Sequence, residues 1–342
     1  MRQLTFLSPG KFEWQDVPAP ALRADTDAIV ASIAVARCDL DLYIATGFVN
    51  YPGPFAFGHE TIARVVDAGP VAGVKPGDVV VVPFQLSCGR CGSCKRGFTN
   101  ACEAYPFGAA YGLKPTSKTE FGGAFSDLMY VPFADHMLVR LPDGVDPVQA
   151  ASLSDNISDG WRGVAAPLRE RPGANVLVVG GLAQSVGIYA AGAAVALGAG
   201  RVLYLDDDAG RRERAQALGA DVAPLALGDG RTAGEQFEIV VEAAGYTDAL
   251  AFAVHSCAPN GVLTSVAIHF GDKTPMPLTR AYYKGLSFHT SRVHSRTTFP
   301  AALDCIACGK LHPEHVTHRV ARFEDAPEAM TDPGPKIVFV RG

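Results

Sequence analysis

The fold of the second half of the chain is decided by the stretch Val176-Leu177-Val178-Val179-Gly180-Gly181-Leu182-Ala183-Gln184-Ser185-Val186-Gly187. Its first four residues predict a buried strand, and the glycines predict a tight turn into a helix. Such a turn offers backbone N–H groups to a pyrophosphate, and glycine permits a close approach. The spacing departs from the usual fingerprint, so the turn needs support from its context. The candidate cofactor-binding residues in it are Gly180, Gly181, Leu182, Ala183, Ser185, Val186 and Gly187.

Strands and helices alternate in the residues that follow this turn. The pattern predicts helices over 188–197 and 211–218 and strands over 202–205, 237–241 and 262–266. This alternation is typical of a parallel sheet with helices on both faces, that is, of an α/β domain.

An acidic residue follows the second of these strands. Asp206 stands where a carboxylate accepts hydrogen bonds from the hydroxyls of an adenosine ribose. Asp207 and Asp208 add negative charge that repels a 2′-phosphate, so NAD is favoured over NADP. The alternative is a glycine-rich turn in an α/β domain that binds no nucleotide.

Composition limits the kinds of protein that this chain can be. At 342 residues we expect two domains, and 48% hydrophobic residues supply their cores. A formal charge of -5 argues against nucleic-acid or anionic-membrane partners. The N-terminus lacks the apolar stretch of a signal peptide, and glycines interrupt the most apolar segment, so no membrane span is predicted.

The first 85 residues predict a β-rich region. Strands are expected over 28–35, 61–66 and 79–82, with turns rich in Gly and Pro between them. Short strands with such turns indicate a partly closed β-domain.

Four cysteines occur within one short loop, at 88, 91, 94 and 102. Four thiolates can enclose one tetrahedral metal and leave no open position, which is typical of a structural site. Zinc is favoured, and an iron–sulfur cluster is the main alternative. Eight cysteines in total, four of them in this loop, suggest a metal site in a reducing compartment, so we expect a cytoplasmic protein.

Further candidate ligands lie upstream, at Cys38 and in Gly58-His59-Glu60. A thiolate, an imidazole and a carboxylate are ligand types that zinc selects, but two or three of them do not by themselves define a site.

Together these motifs resemble the zinc-dependent medium-chain alcohol dehydrogenases over nearly the whole chain. The resemblance includes Cys38-x-x-Asp41, the Gly-His-Glu motif, the four-cysteine loop, Asp206 with Arg211, and the tail at 314–318. It implies a GroES-like β-barrel catalytic domain, formed by 1–154 with 285–342, and a Rossmann domain with a doubly wound parallel sheet over 155–284. Arg211 is then a further cofactor-binding residue. A homodimer or homotetramer acting on a small molecule is also implied.

The resemblance also implies the catalytic residues. Cys38, His59 and Asp155 are expected to bind a catalytic zinc, with Glu60 as an optional fourth ligand. Asp41 matches the carboxylate that orients the zinc-bound histidine. The zinc polarises the substrate oxygen, and hydride passes between an alcohol or its carbonyl partner and NAD(H).

Three departures from the family pattern concern the proton. Leu40 occupies the place of a Ser or Thr that carries the alcohol proton away, Tyr43 the place of a His, and Asp159 the place of a Thr beside the nicotinamide. Tyr43, Asp39, Glu60 and Asp159 are the candidates to move the proton. Alternatively, the enzyme reduces C=N or activated C=C bonds, where no alcohol proton has to leave. A third interpretation is a non-catalytic protein that retains NAD and zinc.

Overall fold

The computed structural model describes residues 1–113, 121–228, 230–271 and 273–342. Its strands are β1 Arg2–Ser8, β2 Lys11–Asp16, β3 Ala28–Ala36, β4 Phe55–Ala56, β5 Glu60–Ala68, β6 Val79–Val82, β7 Met129–Val131, β8 Val139–Arg140, β9 Val176–Val179, β10 Val202–Leu205, β11 Asp221–Ala223, β12 Phe237–Glu242, β13 Cys257–Ser265, β14 Ser287–Thr290, β15 Arg319–Arg322 and β16 Ile337–Val340.

The helices connect these strands. They are α1 Asp39–Thr46, α2 Gly92–Lys95, α3 Ala134–Met137, α4 Pro147–Ala150, α5 Asn156–Glu170, α6 Gln184–Ala196, α7 Ala209–Ala217, α8 Thr247–Ser256, α9 Leu278–Lys284, α10 Ser295–Ala307 and α11 Ala326–Ala329, with 3-10 turns at Thr99–Ala101, Ala151–Ser154, Pro313–His315 and Phe323–Asp325. Within the described ranges, no helix is long and apolar enough to cross a bilayer.

The chain forms two compact units. The first comprises 1–158, 293–307 and 317–342, and the second comprises 159–292 and 308–316. We propose that they are the catalytic and coenzyme-binding domains that the sequence predicts as 1–154 with 285–342 and as 155–284.

The first unit is β-rich, as its sequence predicts. A three-stranded sheet has the order β2-β1-β4, and a larger sheet has the order β15-β16-β3-β5-β6-β8, with β7 also paired to β3. Its core contains a group of touching aromatic rings that includes Phe6, Phe55 and Phe57.

The second unit is a six-stranded sheet in the order β11-β10-β9-β12-β13-β14. Every neighbouring pair is parallel. The predicted parallel α/β domain is therefore confirmed. Strand β9 lies inside the sheet with Val176–Val179 fully buried, which explains its continuous run of apolar residues. The chain order reverses between β9 and β12, and such a switch point is where α/β sheets bind ligands.

Candidate active site and coenzyme site

Strand pairing brings the upstream ligand candidates together. Strand β3 ends at Ala36, which pairs with Glu60 at the start of the antiparallel strand β5. Cys38, just after β3, and His59, just before β5, consequently lie close to each other. Helix α1 begins after Cys38, whose backbone N–H donates to Asp41 Oδ2 at 3.0 Å and so fixes the turn.

Asp155 completes a group of three buried donors. Its Oδ2 lies 3.2 Å from Cys38 Sγ and 3.3 Å from His59 Nε2. One ligand atom from each residue lies within 4.8 Å of the other two. Asp155 directly follows the 3-10 turn Ala151–Ser154, which precedes α5. All three ligands expected from the sequence therefore converge.

The chemistry of these donors fits a cation. Burial raises the pKa of the Cys38 thiol well above its ordinary value, and the carboxylates of Asp155, Glu60 and Asp41 raise it further. A thiolate among three carboxylates is strongly unfavourable unless a positive charge joins it. Thiolate, imidazole and carboxylate together are a donor set that zinc accepts.

Asp41 lies behind the histidine. Its Oδ1 is 3.5 Å from His59 Nδ1, and neither atom has a hydrogen-bond partner in the described part of the chain. Burial lowers the pKa of His59, but Asp41 and Asp155 outweigh that effect and raise it to about 9. Asp41 thus faces the ring nitrogen opposite the one that faces Asp155, as a carboxylate that orients a metal-binding histidine does.

The Glu60 carboxylate is hydrogen-bonded to groups outside the cluster of Cys38, His59 and Asp155. Its Oε2 accepts hydrogen bonds from Ser152 Oγ and Lys336 Nζ, each at 2.9 Å, and its Oε1 accepts from Asn156 N at 2.9 Å. Glu60 is not among the three clustered ligands. Its role as an optional fourth ligand stays a prediction.

Lys336 is a site residue that sequence reasoning missed. Its side chain is fully buried. Besides Glu60, its ammonium donates to Arg37 O at 2.8 Å and to Asn156 Oδ1 at 2.6 Å. All three N–H donors are therefore satisfied, and one positive charge is fixed beside the donor group.

The three residues that break the family's proton pattern have different surroundings. Leu40 packs against the apolar core of the first unit. The ring of Tyr43, on α1, lies 5.1 Å from that of Phe48. Asp159 belongs to the second unit, where its carboxylate pairs with Arg162 one helical turn later. Arg162 also donates to Ser291 O at 2.6 Å. The negative charge of Asp159 is therefore balanced by the positive charge of Arg162.

The four cysteines of the loop form a second group, with their sulfur atoms within 4.8 Å of one another. Backbone N–H groups of Cys88, Cys91 and Cys94 donate to loop sulfurs at 3.3 to 3.4 Å. The N–H groups of Glu103 and Cys94 lower the pKa of Cys91 to about 6. These backbone donors favour thiolates, so the loop fits a closed structural zinc.

The glycine turn after β9 packs tightly against its neighbours. A Cβ on Gly180 would lie 2.2 Å from Asp206 Oδ2, and one on Gly181 would lie 2.6 Å from Ala244 Cα. The N–H groups of Leu182 and Ala183 donate to Ala244 O and Ala243 O at 3.0 and 2.9 Å. Helix α6 begins at Gln184, so Ser185, Val186 and Gly187 form its first turn.

Asp206 is more heavily engaged than the sequence suggests. It is fully buried, and its two oxygens accept from Tyr204 Oη at 2.7 Å, from Asp208 N at 2.9 Å and from Arg211 Nε and Nη2 at 2.8 and 2.6 Å. Burial lowers the pKa of Arg211, but Asp206 outweighs that effect and raises it. A carboxylate offers about four acceptor sites, and these donors fill them. A ribose hydroxyl would therefore have to displace or share one of them.

Two family models match the chain. The one described as the alcohol dehydrogenase GroES-like domain matches residues 24–143, and the one described as zinc-binding dehydrogenase matches residues 185–307.

Individual proteins are similar over most of their length. A probable zinc-binding alcohol dehydrogenase of Mycobacterium tuberculosis is 29% identical over 91% of this chain and 79% of its own. A medium chain reductase/dehydrogenase of Acremonium is 30% identical over 79% of this chain and 94% of its own. The structure of alcohol dehydrogenase TADH from Thermus sp. ATN1 is 30% identical, covers 100% of both chains and superposes with a TM-score of 0.89. The expected pairing of a GroES-like domain with a Rossmann domain is thereby confirmed.

Proposed function

The chain belongs to the zinc-dependent medium-chain alcohol dehydrogenase family and is a zinc-dependent oxidoreductase that uses a nicotinamide coenzyme, and we propose which of its residues perform the reaction. Cys38, His59 and Asp155 bind the catalytic zinc, and Asp41 orients His59. The observation that carries this assignment is the convergence of a thiol, an imidazole and a carboxylate, all buried, with one ligand atom of each within 4.8 Å of the others.

Zinc at these donors supplies Lewis acidity to the oxygen of an alcohol or carbonyl substrate. The protein contributes a buried site and fixed ligands. Asp41 holds the tautomer of His59, and Lys336 neutralises Glu60, so that Asp155 and Cys38 carry the charge that faces the metal. Cys88, Cys91, Cys94 and Cys102 hold a second zinc that maintains the loop.

Proton transfer is assigned to Tyr43. Leu40 has no polar group, Glu60 is paired with Lys336, and Asp159 is paired with Arg162. Asp39 interacts with the buried Arg37 guanidinium, whose pKa burial lowers and the Asp39 carboxylate raises. Tyr43 lies on α1, which begins directly after Cys38, and it carries a hydroxyl. We expect Tyr43→Phe to reduce kcat for alcohol oxidation more than it changes KM.

The second unit binds NAD(H) at the carboxyl edge of its sheet. The glycine turn receives the pyrophosphate, and Asp206 with Arg211 faces the adenosine ribose. The negative charges of Asp207 and Asp208, both exposed, support NAD over NADP.

A homodimer through β14 is the assembly that we propose. This strand is at the edge of the six-stranded sheet, and all four of its residues are exposed. Leu278, Tyr282 and Tyr283 on the preceding helix are also exposed, at 68%, 81% and 80%. An uncovered edge strand beside exposed apolar side chains suits pairing with a second copy. Light scattering after gel filtration tests it, and a monomer at micromolar concentration contradicts it.

The cytoplasm is the proposed location. None of the eight cysteines forms a disulfide, which supports a reducing compartment.

Metal analysis and a substrate screen test the catalytic assignment. We expect two zinc ions per chain, and we expect turnover of alcohols or ketones with NAD(H), followed at the nicotinamide absorbance. Cys38→Ala should lose one zinc and all turnover while it still binds NADH. Unchanged turnover in this variant refutes the zinc assignment, and turnover of imines alone favours the C=N reductase.

A further inference from the structure

A buried carboxylate lies at the carboxyl edge of the parallel sheet. Glu242, the last residue of β12, is fully buried. Its Oε1 accepts the backbone N–H groups of Ala244 at 2.8 Å and Gly245 at 2.6 Å, and its Oε2 accepts Ser265 Oγ at 2.6 Å. No step of the proposed reaction uses this carboxylate.

His269 is the only one of its side-chain partners, within the described residues, that can change charge. Its Nε2 lies 3.1 Å from Glu242 Oε2, and its side chain is 17% exposed whereas that of Glu242 is 0% exposed. Ser265 Oγ is the other polar neighbour, at 3.5 Å. The pair therefore extends from a buried carboxylate to an imidazole at the surface of the unit.

The sheet order assigns this pair to one half of the coenzyme site. Strands β12 and β13 lie on one side of β9, and β10, which ends before Asp206, lies on the other. In a doubly wound sheet the two halves of a dinucleotide occupy the two sides of the switch point. If Asp206 serves the adenosine half, the carboxyl ends of β12 and β13 serve the nicotinamide half.

The phosphate-binding turn is tied to the same segment. Leu182 and Ala183 donate to Ala244 O and Ala243 O, in the residues that directly follow Glu242. A coenzyme bound at the glycine turn would therefore lie close to residues 243–245, whose backbone Glu242 holds through hydrogen bonds.

Protonation changes both the charge and the hydrogen bonding of this pair. With the proton on Nε2 facing Glu242, a neutral ring presents Nδ1 as an acceptor, and a protonated ring presents it as a donor. The pair carries one negative charge when His269 is neutral and none when it is protonated. The hydrogen bond with Glu242 raises the pKa of His269, and Glu242 is the charged group that acts on it within the described ranges.

We propose that the Glu242–His269 pair contacts the nicotinamide half of the coenzyme and that its charge sets the relative affinity for NAD+ and NADH. This inference rests on the proposed NAD(H) site. Hydride transfer converts a cationic nicotinamide ring into a neutral one. A negative pair favours the cationic ring, and a neutral pair does not. Rising pH should therefore strengthen NAD+ binding relative to NADH binding.

Equilibrium binding tests the inference without turnover. The Kd values of NAD+ and NADH are measured by fluorescence with the zinc-loaded enzyme from about pH 5.5 to 8.5, the range in which histidine titrates. The ratio of the NADH Kd to the NAD+ Kd should rise on the order of tenfold with pH, as expected for one unit charge in a partly screened site.

Two variants and a matched control identify the source of this rise. His269→Asn and His269→Gln should each reduce the rise, and what remains belongs to other titrating groups such as a zinc-bound water. His312→Asn should behave as the unaltered protein, because His312 pairs with Glu314 at 3.1 Å in the same unit but outside the sheet. A second variant at His269 guards against loss of folding in the first, which circular dichroism detects.

The outcomes are distinguishable. If the unaltered protein binds neither coenzyme at any pH, the proposed function fails and the inference fails with it. If it binds both, and the ratio rises with pH as much in the His269 variants as in the unaltered protein, the inference alone is overturned. Loss of the rise in His312→Asn also overturns it.

Discussion

Lys336→Met is the substitution whose effect the structure defines best. The ammonium of Lys336 donates to Glu60, Asn156 and Arg37 O, and both members of the Lys336–Glu60 pair have fully buried side chains. Methionine fills similar space but donates no hydrogen bond. The variant therefore leaves the Glu60 carboxylate buried without its ion partner.

The loss of this ion pair determines the expected change in the free energy of unfolding. Removing one member of a buried ion pair typically destabilises a protein by about 3–5 kcal/mol. Glu60→Gln should also cost about 3–5 kcal/mol, because Lys336 stays buried without its counter-charge and the single amide oxygen can replace only one of the two carboxylate oxygens. The double variant should cost less than the sum of the two, because it buries no unpaired charge. We expect a coupling free energy of about 1–3 kcal/mol.

Urea unfolding of the four proteins measures this cycle. The chain has two tryptophans, and Trp14 lies in the first unit while Trp161 lies in the second. In a Trp161→Phe background, fluorescence therefore reports on the unit that contains Lys336. A loss below about 1 kcal/mol for Lys336→Met, or strict additivity in the double variant, would refute the argument.

Three further substitutions test the zinc loop and the coenzyme site. Cys102→Ser should lower the zinc content from two ions per chain to one while NADH binding persists; two retained ions would contradict a closed four-cysteine site. Gly180→Ala should raise the Kd of NADH at least about tenfold, since its Cβ would lie 2.2 Å from Asp206 Oδ2, and unchanged affinity in fluorescence titration would contradict this. Asp206→Ala should free Arg211 and raise the affinity for NADPH relative to NADH on the order of tenfold; an unchanged ratio would contradict NAD selection by Asp206.

The sequence predicted the elements of the second unit well because their periodicity is local. The continuous apolar runs gave β9, β10 and β12 within a residue of their observed ends. Helix α6 begins four residues before the predicted Ile188, because the apolar pattern does not mark its first turn. Strand β13 begins at Cys257 rather than Val262, since Pro259 and Gly261 indicate a turn, and its pairing with β12 is irregular in that part.

The sequence could indicate which side chains cluster at the two candidate metal sites, whereas it could not indicate their charge partners. Lys336 meets Glu60 across 276 residues of chain, and no local pattern connects them. Arg162 is different, because it follows Asp159 by one helical turn. Prediction of α5 would have revealed that pair, but Pro167 inside the helix obscures it.

The Lys336–Glu60 pair affects the charge balance of the candidate metal site. Asp41, Glu60 and Asp155 bring three carboxylates to one buried region, and a lysine neutralises one of them. Asp41 lies behind His59, so Asp155 and the Cys38 thiolate are the two negative groups at the metal position, a charge that a divalent cation balances. We propose that Lys336, by pairing with Glu60, favours Asp155 over Glu60 as the zinc ligand. On this proposal, the chain carries a Gly-His-Glu motif whose glutamate is held by the lysine, while Asp155 clusters with Cys38 and His59.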